Sequence, residues 1–376
     1  MKVWYFRMAA LGLGLALALG FGEVAVRFFA PPWLRLRMEG LRSGELQELG
    51  TDRGWPTRKE NGRFLSFVPS SRFTISNYEY RHDAHLDELG GRVVPDATST
   101  ERIVPFVGDS FVFGIGVADG ETFVNRLAPT SPLRLINLGI PGTSLNTQLD
   151  IVERRHKELG SPRTYVFVVF LGNDLVELRD TALSRKTGPP KAAGSLSALA
   201  RLNSFVNHNA ILRQSFLIQW GRQKFLSLVD PERRTGMDPV FHVLRSDSPI
   251  LAEAGQLYRE EAMRLQRLSS ALDFDFVMVL IPDRHQLDER LLELRTDYYG
   301  IDRITIEVHK PNNLLAGIFD GLGIEYIDTT ACVGASAGKM NLFYSQDNHL
   351  NSAGHRVLAD CLRRQGLLDR IARSAS

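Results

Sequence analysis

From Glu101 to the C-terminus, short runs of consecutive apolar residues alternate with longer segments whose apolar residues recur every three or four positions. The short runs are rich in β-branched and aromatic residues and predict strands; the periodic segments predict helices. Strands are expected at Ile103–Val107, Leu133–Asn137, Tyr165–Leu171, Phe276–Ile281 and Ile324–Asp328. Tyr165–Leu171 reads YVFVVFL, apolar throughout, as a central strand covered on both faces should be. Helices are expected at Gln148–Leu159, Leu251–Leu272 and Gly354–Arg373. The last of these gathers Val357, Leu358, Cys361, Leu362, Leu367 and Leu368 near one face. Strand and helix in alternation imply an α/β fold, a three-layer α/β/α sandwich with a mainly parallel five-stranded sheet.

The pattern differs outside this region. Residues 31–98 are polar and turn-rich without a sustained period, and are expected to form a stalk and an irregular extension on a domain covering 99–376. An insertion at about 180–250 interleaves apolar and basic residues (Leu199, Leu202, Phe205, Ile211, Leu212, Phe216, Leu217, Trp220). It reads either as helices completing the core or as a lid or membrane-facing cap.

At the N-terminus, Lys2 and Arg7 precede an unbroken apolar run from Met8 to Gly22, and Glu23 and Arg27 follow it. The run alone falls short of the roughly 20 residues that span a bilayer. Trp4–Phe6 and Val24–Ala30 extend it into both interfaces, Glu23 and Arg27 sit at pairing distance on one helix face, and Pro31 and Pro32 stop the helix. Residues 1–30 are therefore expected to form an uncleaved transmembrane anchor. A cleaved signal peptide, with Gly20-Phe21-Gly22 as its small-residue site, is the alternative. Both send the body of the chain out of the cytoplasm, and the expected location is a bacterial-type cell membrane, single-pass, with the body outside.

Charge and cysteine content narrow the classes. A net charge of +2 argues against a nucleic-acid binder. The basic cluster Arg27, Arg35, Arg37 and Arg42, just beyond the apolar run, suits anionic lipid headgroups. Cys332 and Cys361 fit no metal spacing and are too few for a disulfide framework. They are expected as two buried thiols, with a single bridge as the alternative.

Candidate chemistry collects where the strands end. Gly108-Asp109-Ser110 follows the first strand, Asn137-Leu138-Gly139-Ile140-Pro141-Gly142-Thr143 the second, and Gly172-Asn173-Asp174 the third. Ligands of open α/β sheets bind outside these carboxyl ends. Singly, each block could be a helix cap or a turn; in order, they form a donor set around one crevice. Asp347-Asn348-His349 then supplies a base that titrates near neutrality beside a carboxylate that can fix its tautomer. Of nine histidines, His355 is the nearest rival and is expected on a helix surface. Arg284 and His285, after the fourth strand, are candidate substrate contacts. His82 and His85 flank Asp83 without the further ligands a metal needs. Gly334–Lys339 has neither the length nor the hydroxyl of a phosphate loop.

These blocks (GDSF at 108–111, NLGIPGTS at 137–144, GND at 172–174, DNHLNSAGH at 347–355) resemble the SGNH/GDSL hydrolases over about 101–376. The resemblance implies a flavodoxin-like sheet, Ser110 as nucleophile, His349 as base and Asp347 as the orienting acid. It further implies an oxyanion hole from the Ser110 and Gly142 N–H groups and the Asn173 amide. Many members place the acid three residues before the histidine, where this chain has Gln346. Here it stands two before, as in a membrane-anchored branch resembling alginate-type O-acetyltransferases. The implied activity is removal of acyl groups, by analogy acetyl groups of a cell-envelope carbohydrate. O-acetyl transfer to a polysaccharide hydroxyl, lysophospholipase-like hydrolysis and a non-catalytic binding domain are the competing classes. No metal or organic cofactor is required.

Overall fold

The computed structural model describes residues 2–30, 34–35, 38, 50–51, 55–60, 63–76, 79–98, 100–187, 209, 212–221, 239–345 and 347–374. They fall into two compact units. One gathers Met1–Leu46, Lys191–Met237 and Glu293–Ile301; the other gathers Gln47–Pro190, Asp238–Leu292 and Asp302–Ser376. Of the insertion residues singled out by sequence, Leu199, Leu202, Phe205 and Ile211 lie outside the described residues, as does Gln346.

In the first unit, a helix runs from Lys2 to Phe29. Its stretch Leu11–Phe29 is long and apolar enough to cross a membrane by length and composition, and none of it is buried. The expected Glu23–Arg27 pair forms at 2.7 Å. Ala30, Leu34, Met38 and Phe216 make a small apolar core, with Val26 packed against it.

In the second unit, the stretch expected to be irregular contains strands. β1 (Gly50–Thr51), β4 (Arg72–Ser76) and β5 (Arg81–His85) form an antiparallel sheet, and β2 (Thr57–Glu60) pairs with β3 (Arg63–Phe67). The alternation is present but short: in β4, Phe73 and Ile75 are buried while Arg72 and Thr74 are not, and β5 buries only Ala84. Too few apolar positions recur for a period to stand out. Phe67, Phe73, Ile75 and Tyr80 then pack on Phe113, Ile115 and Ile140 in one apolar cluster.

The main sheet matches the expected strands to within a residue or two. β6 (Ile103–Gly108), β7 (Arg134–Gly139), β8 (Thr164–Phe170), β9 (Asp275–Ile281) and β10 (Tyr326–Asp328) lie in the order β10-β9-β8-β6-β7, every pairing parallel. Read from the other edge this is the flavodoxin-like order, and the strand sequence reverses direction between β6 and β8. β8 is buried along its whole length. On one face, Val104, Phe106, Val168 and Val279 pack with Phe123, Leu358 and Leu362. The helices Leu145–Arg155, Asp174–Thr187, Pro249–Leu272 and Lys310–Leu322 make the other layer.

Three expectations change here. The C-terminal helix is two helices, Ser352–Arg364 and Leu367–Ser374, because Gly366 between them takes a left-handed φ of 71°. Cys332 and Cys361 are joined in a disulfide, their Cα atoms 5.8 Å apart, rather than standing as separate thiols. His355 is fully buried rather than on a helix surface. Its Nδ1 accepts the Phe123 N–H at 3.2 Å, and its ring stacks on Phe123.

Candidate functional site

Ser110 opens a four-residue helix, Ser110–Phe113, straight from the end of β6. Asp109 caps that helix by accepting the Phe111 N–H at 2.9 Å, so the cap stands directly before Ser110. The turn works only because two glycines let backbone segments close in. A Cβ on Gly139 would lie 2.0 Å from the Phe113 nitrogen, and one on Gly108 would lie 2.4 Å from Val112. Asn137 joins β7 to the same helix, its amide donating to the Val112 carbonyl at 2.6 Å.

Arg92 completes this support from the N-terminal extension. Its side chain is wholly buried and donates to the carbonyls of Phe113 at 3.0 Å, Gly114 and Val117, and to Asp119 at 2.9 Å. Helix-end carbonyls have no partner within the helix, and this guanidinium supplies one for the helix that Ser110 opens.

Ser110, His349 and Asp347 come together. His349 Nε2 lies 2.8 Å from Ser110 Oγ, and Nδ1 lies 2.5 Å from Asp347 Oδ1. The His349 N–H also donates to that carboxylate oxygen at 2.9 Å. Burial would raise the Asp347 carboxyl, but the charge and hydrogen bonds of His349 and the Tyr80 hydroxyl outweigh it and hold it down at about 2. Burial would lower His349, yet the Asp347 charge and hydrogen bond, with Asp109 nearby, carry it above the ordinary histidine value. The arrangement offers a hydroxyl to a base whose cationic form is already stabilised.

The loop bearing Asp347 and His349 is clasped from two sides. The Glu79 carboxylate accepts the N–H groups of Ser345 at 2.7 Å and Asp347 at 2.8 Å, and Tyr80 donates to Asp347 Oδ2 at 2.7 Å. Burial and the Asp347 charge push the Tyr80 phenol far above its ordinary value, so it stays a donor. From the loop after β9, Arg284 donates to the carbonyls of Tyr344 at 2.9 Å and Ser345 at 3.0 Å. Asp283, fully buried, accepts from His285 Nδ1 at 2.7 Å and from the Asn348 amide at 2.6 Å. Of the two expected substrate contacts, Arg284 is half-buried and holds the loop that bears His349, and His285 is 3% exposed against Asp283.

Gly142 lies on the loop beyond β7, exposed, with a left-handed φ of 71° and open space where a Cβ would stand. Asn173 follows β8, and its amide donates to Glu177 Oε1 at 2.6 Å. Burial, with the Asp109 charge, raises Glu177 to about 7. Asp174, buried and close to both acids, is raised well above the usual carboxylate value by desolvation first. One amide proton of Asn173 is thus taken by Glu177.

Glu79, Tyr80, Arg92 and Asp283 were missed by sequence reasoning. Tyr80 and Asp347 are 267 positions apart, and no local pattern joins them. Asp283 did carry a signal: Asp283-Arg284-His285-Gln286 is a capping box, and both of its reciprocal hydrogen bonds form.

No family model and no curated protein matches the chain. Among solved structures, a member of the lipolytic protein G-D-S-L family from Veillonella parvula aligns at 12% identity, covering 70% of this chain and 98% of that one, with a TM-score of 0.38. A catalytic mutant of an acetylxylan esterase from Geobacillus stearothermophilus aligns at 14% identity over 72% of this chain and 95% of its own, with a TM-score of 0.35. A lipase/acylhydrolase from Enterococcus faecalis aligns at 12% identity over 72% and 96%, with a TM-score of 0.36.

Proposed function

We propose that this chain is a membrane-anchored serine esterase of the SGNH/GDSL type that removes acyl groups, acetyl in the first instance, from a cell-envelope carbohydrate. The observation that carries the reading is the unbroken chain of contacts from Ser110 Oγ to His349 Nε2 at 2.8 Å and from His349 Nδ1 to Asp347 at 2.5 Å. Ser110 attacks the ester carbonyl as His349 takes its proton, giving a tetrahedral oxyanion held by the Ser110 and Gly142 N–H groups and the Asn173 amide. His349 then returns the proton to the departing sugar hydroxyl, leaving an acyl group on Ser110. Water, deprotonated by His349, attacks that acyl-enzyme and frees the carboxylic acid.

Lys2–Phe29 tethers the enzyme to the membrane, with its catalytic unit outside the cytoplasm. The acceptor separates hydrolysis from transfer, since a sugar hydroxyl entering in place of water makes the same acyl-enzyme an O-acetyltransferase. The test is acetate release from a peracetylated oligosaccharide, with and without an unacetylated acceptor, alongside labelling of Ser110 by a fluorophosphonate. Acetate release and labelling, both abolished by Ser110→Ala, support the esterase. Acetylated acceptor appearing at the expense of acetate shifts the assignment to transferase, and turnover that survives Ser110→Ala removes the mechanism.

A further inference from the structure

Glu23 is the one charged residue between Arg7 and Arg27 in a helix that is otherwise apolar over that stretch. At 1.5 Å per residue, Arg7 and Arg27 stand about 30 Å apart along the axis, the thickness of a bilayer's hydrocarbon core. With the two arginines at the two boundaries, Glu23 lies about 6 Å inside the outer one, one helical turn below Arg27. A carboxylate at that depth is retained only where its hydrogen-bonding capacity is filled.

Its partners come from within the same unit and include the insertion. Glu23 accepts the Ser215 hydroxyl at 2.7 Å, the Phe216 N–H at 3.0 Å and the Leu217 N–H at 2.9 Å, while Arg27 donates at 2.7 Å. Arg27 also lies over the Phe216 ring, 5.3 Å from its centroid. The segment 215–217 is therefore fixed at the depth of Glu23. Between helix and segment runs a groove of about 430 Å³, lined by Leu19, Glu23, Arg27, Ser215, Leu217 and Ile218. Its charged residues sit on the Arg27 side and Leu19 one turn deeper, the polarity gradient of a phospholipid. Trp220 stands 38% exposed beyond it, and tryptophan favours the headgroup level.

From this geometry we infer that residues 212–221 form a second membrane-contacting element, seated at the outer hydrocarbon–headgroup boundary and locked to the anchor by Glu23, with bilayer phospholipid as its partner. The inference rests on reading Lys2–Phe29 as the anchor. It gives the insertion a role separate from the catalytic residues: a lipid-facing foot beside the single span.

The full-length chain, reconstituted in phosphatidylcholine–phosphatidylglycerol vesicles, tests it with an environment-sensitive fluorophore (NBD) on single introduced cysteines. Positions are Trp220→Cys, Leu17→Cys in mid-span, and Glu101→Cys, exposed in the other unit, as the solvent baseline. The expected result is blue-shifted emission at Trp220→Cys, quenched more by lipids carrying a shallow nitroxide than by those carrying a deep one. Leu17→Cys should show the reverse order. Adding Glu23→Ala should at least halve the quenching at Trp220→Cys and leave Leu17→Cys unchanged. Quenching at Leu17→Cys with only baseline quenching at Trp220→Cys overturns the inference and leaves the anchor standing. Baseline values at both positions remove the anchor, and the inference falls with it.

Discussion

Tyr80 donates its hydroxyl to one oxygen of Asp347 at 2.7 Å, while His349 holds the other at 2.5 Å. The carboxylate is thereby held at both oxygens, two residues before the histidine it contacts. Within the loop the His349 N–H also donates to that carboxylate, and Tyr80 adds a constraint from the β-rich extension. Tyr80→Phe keeps the ring packed on Tyr344 and removes one hydrogen bond to a charged group, worth about 1.5–3 kcal/mol at most. The expected outcome is a fall in kcat of about tenfold with KM unchanged, since Tyr80 acts through Asp347. Steady-state kinetics on a short-chain ester check it; a rise in KM alone would place Tyr80 at the substrate instead.

Asp347→Asn should lower the plateau of kcat/KM on the order of 10²–10⁴-fold. It should also move the acid limb of the pH profile. Activity requires neutral His349, whose proton affinity is raised by Asp347 against the opposing effect of burial. Removing the charge leaves burial dominant, so the limb should shift from above the ordinary histidine value of about 6.5 to below it. A profile from pH about 5 to 9 decides the matter, and an unshifted limb would detach Asp347 from His349.

Asn173→Ala should lower kcat by about 10²–10³-fold if the amide meets developing negative charge. Glu177→Gln should have a smaller effect in the same direction, because Glu177 only holds that amide, at 2.6 Å. Equal losses in KM and kcat for both variants would make the pair a structural prop.

Arg92→Met tests how the extension supports the turn that presents Ser110. The substitution keeps much of the bulk but removes the Arg92 bonds to three buried carbonyls and to Asp119, which retains His85. Breaking a buried charged network by removing one partner costs about 3–5 kcal/mol. A large drop in melting temperature is expected, with Ser110 labelling lost at temperatures where the native chain still reacts.

How much of this was legible depended on range. The sheet could be read because β8 is buried at every position and apolar from Tyr165 onward and because GDS, GND and DNH each sit beside the strand or helix that presents them. The meeting of Ser110, His349 and Asp347 needed no contact knowledge beyond that order. What failed required knowing which faces meet. Cys332 and Cys361 lie on helices whose adjacency no spacing reveals, and His355 lies on a helix face buried by Phe123 from another helix. Glu79 and Tyr80 belong to a stretch whose strands are too short to show a period, and their partners are fixed only by tertiary folding.

His355 gives the last prediction. Burial first, then the nearby Arg92 and Arg126 charges and His349, depress its proton affinity to about 3 in the fold, against about 6.5 when unfolded. The group's folded value is lowered, so the unfolded chain takes up the proton first. Its neutral form supports the fold fully above pH about 6.5, and that support is lost as pH falls toward about 3, at about 1.4 kcal/mol per unit. His355→Phe keeps an aromatic ring against Phe123 but leaves the Phe123 N–H without its acceptor, a cost of about 1–3 kcal/mol near pH 7.5. Other histidines whose affinities are lowered, His82, His156 and His242, contribute to the acid sensitivity of both proteins and cancel in the difference. The native chain should therefore be the more stable at pH about 7.5, and the gap should close by about 1.4 kcal/mol for each unit below about 6. Thermal unfolding of the detergent-solubilised chains at several pH values measures that gap. A gap that stays constant down to pH about 5 would mean that His355 takes up its proton in the fold as readily as in the unfolded chain.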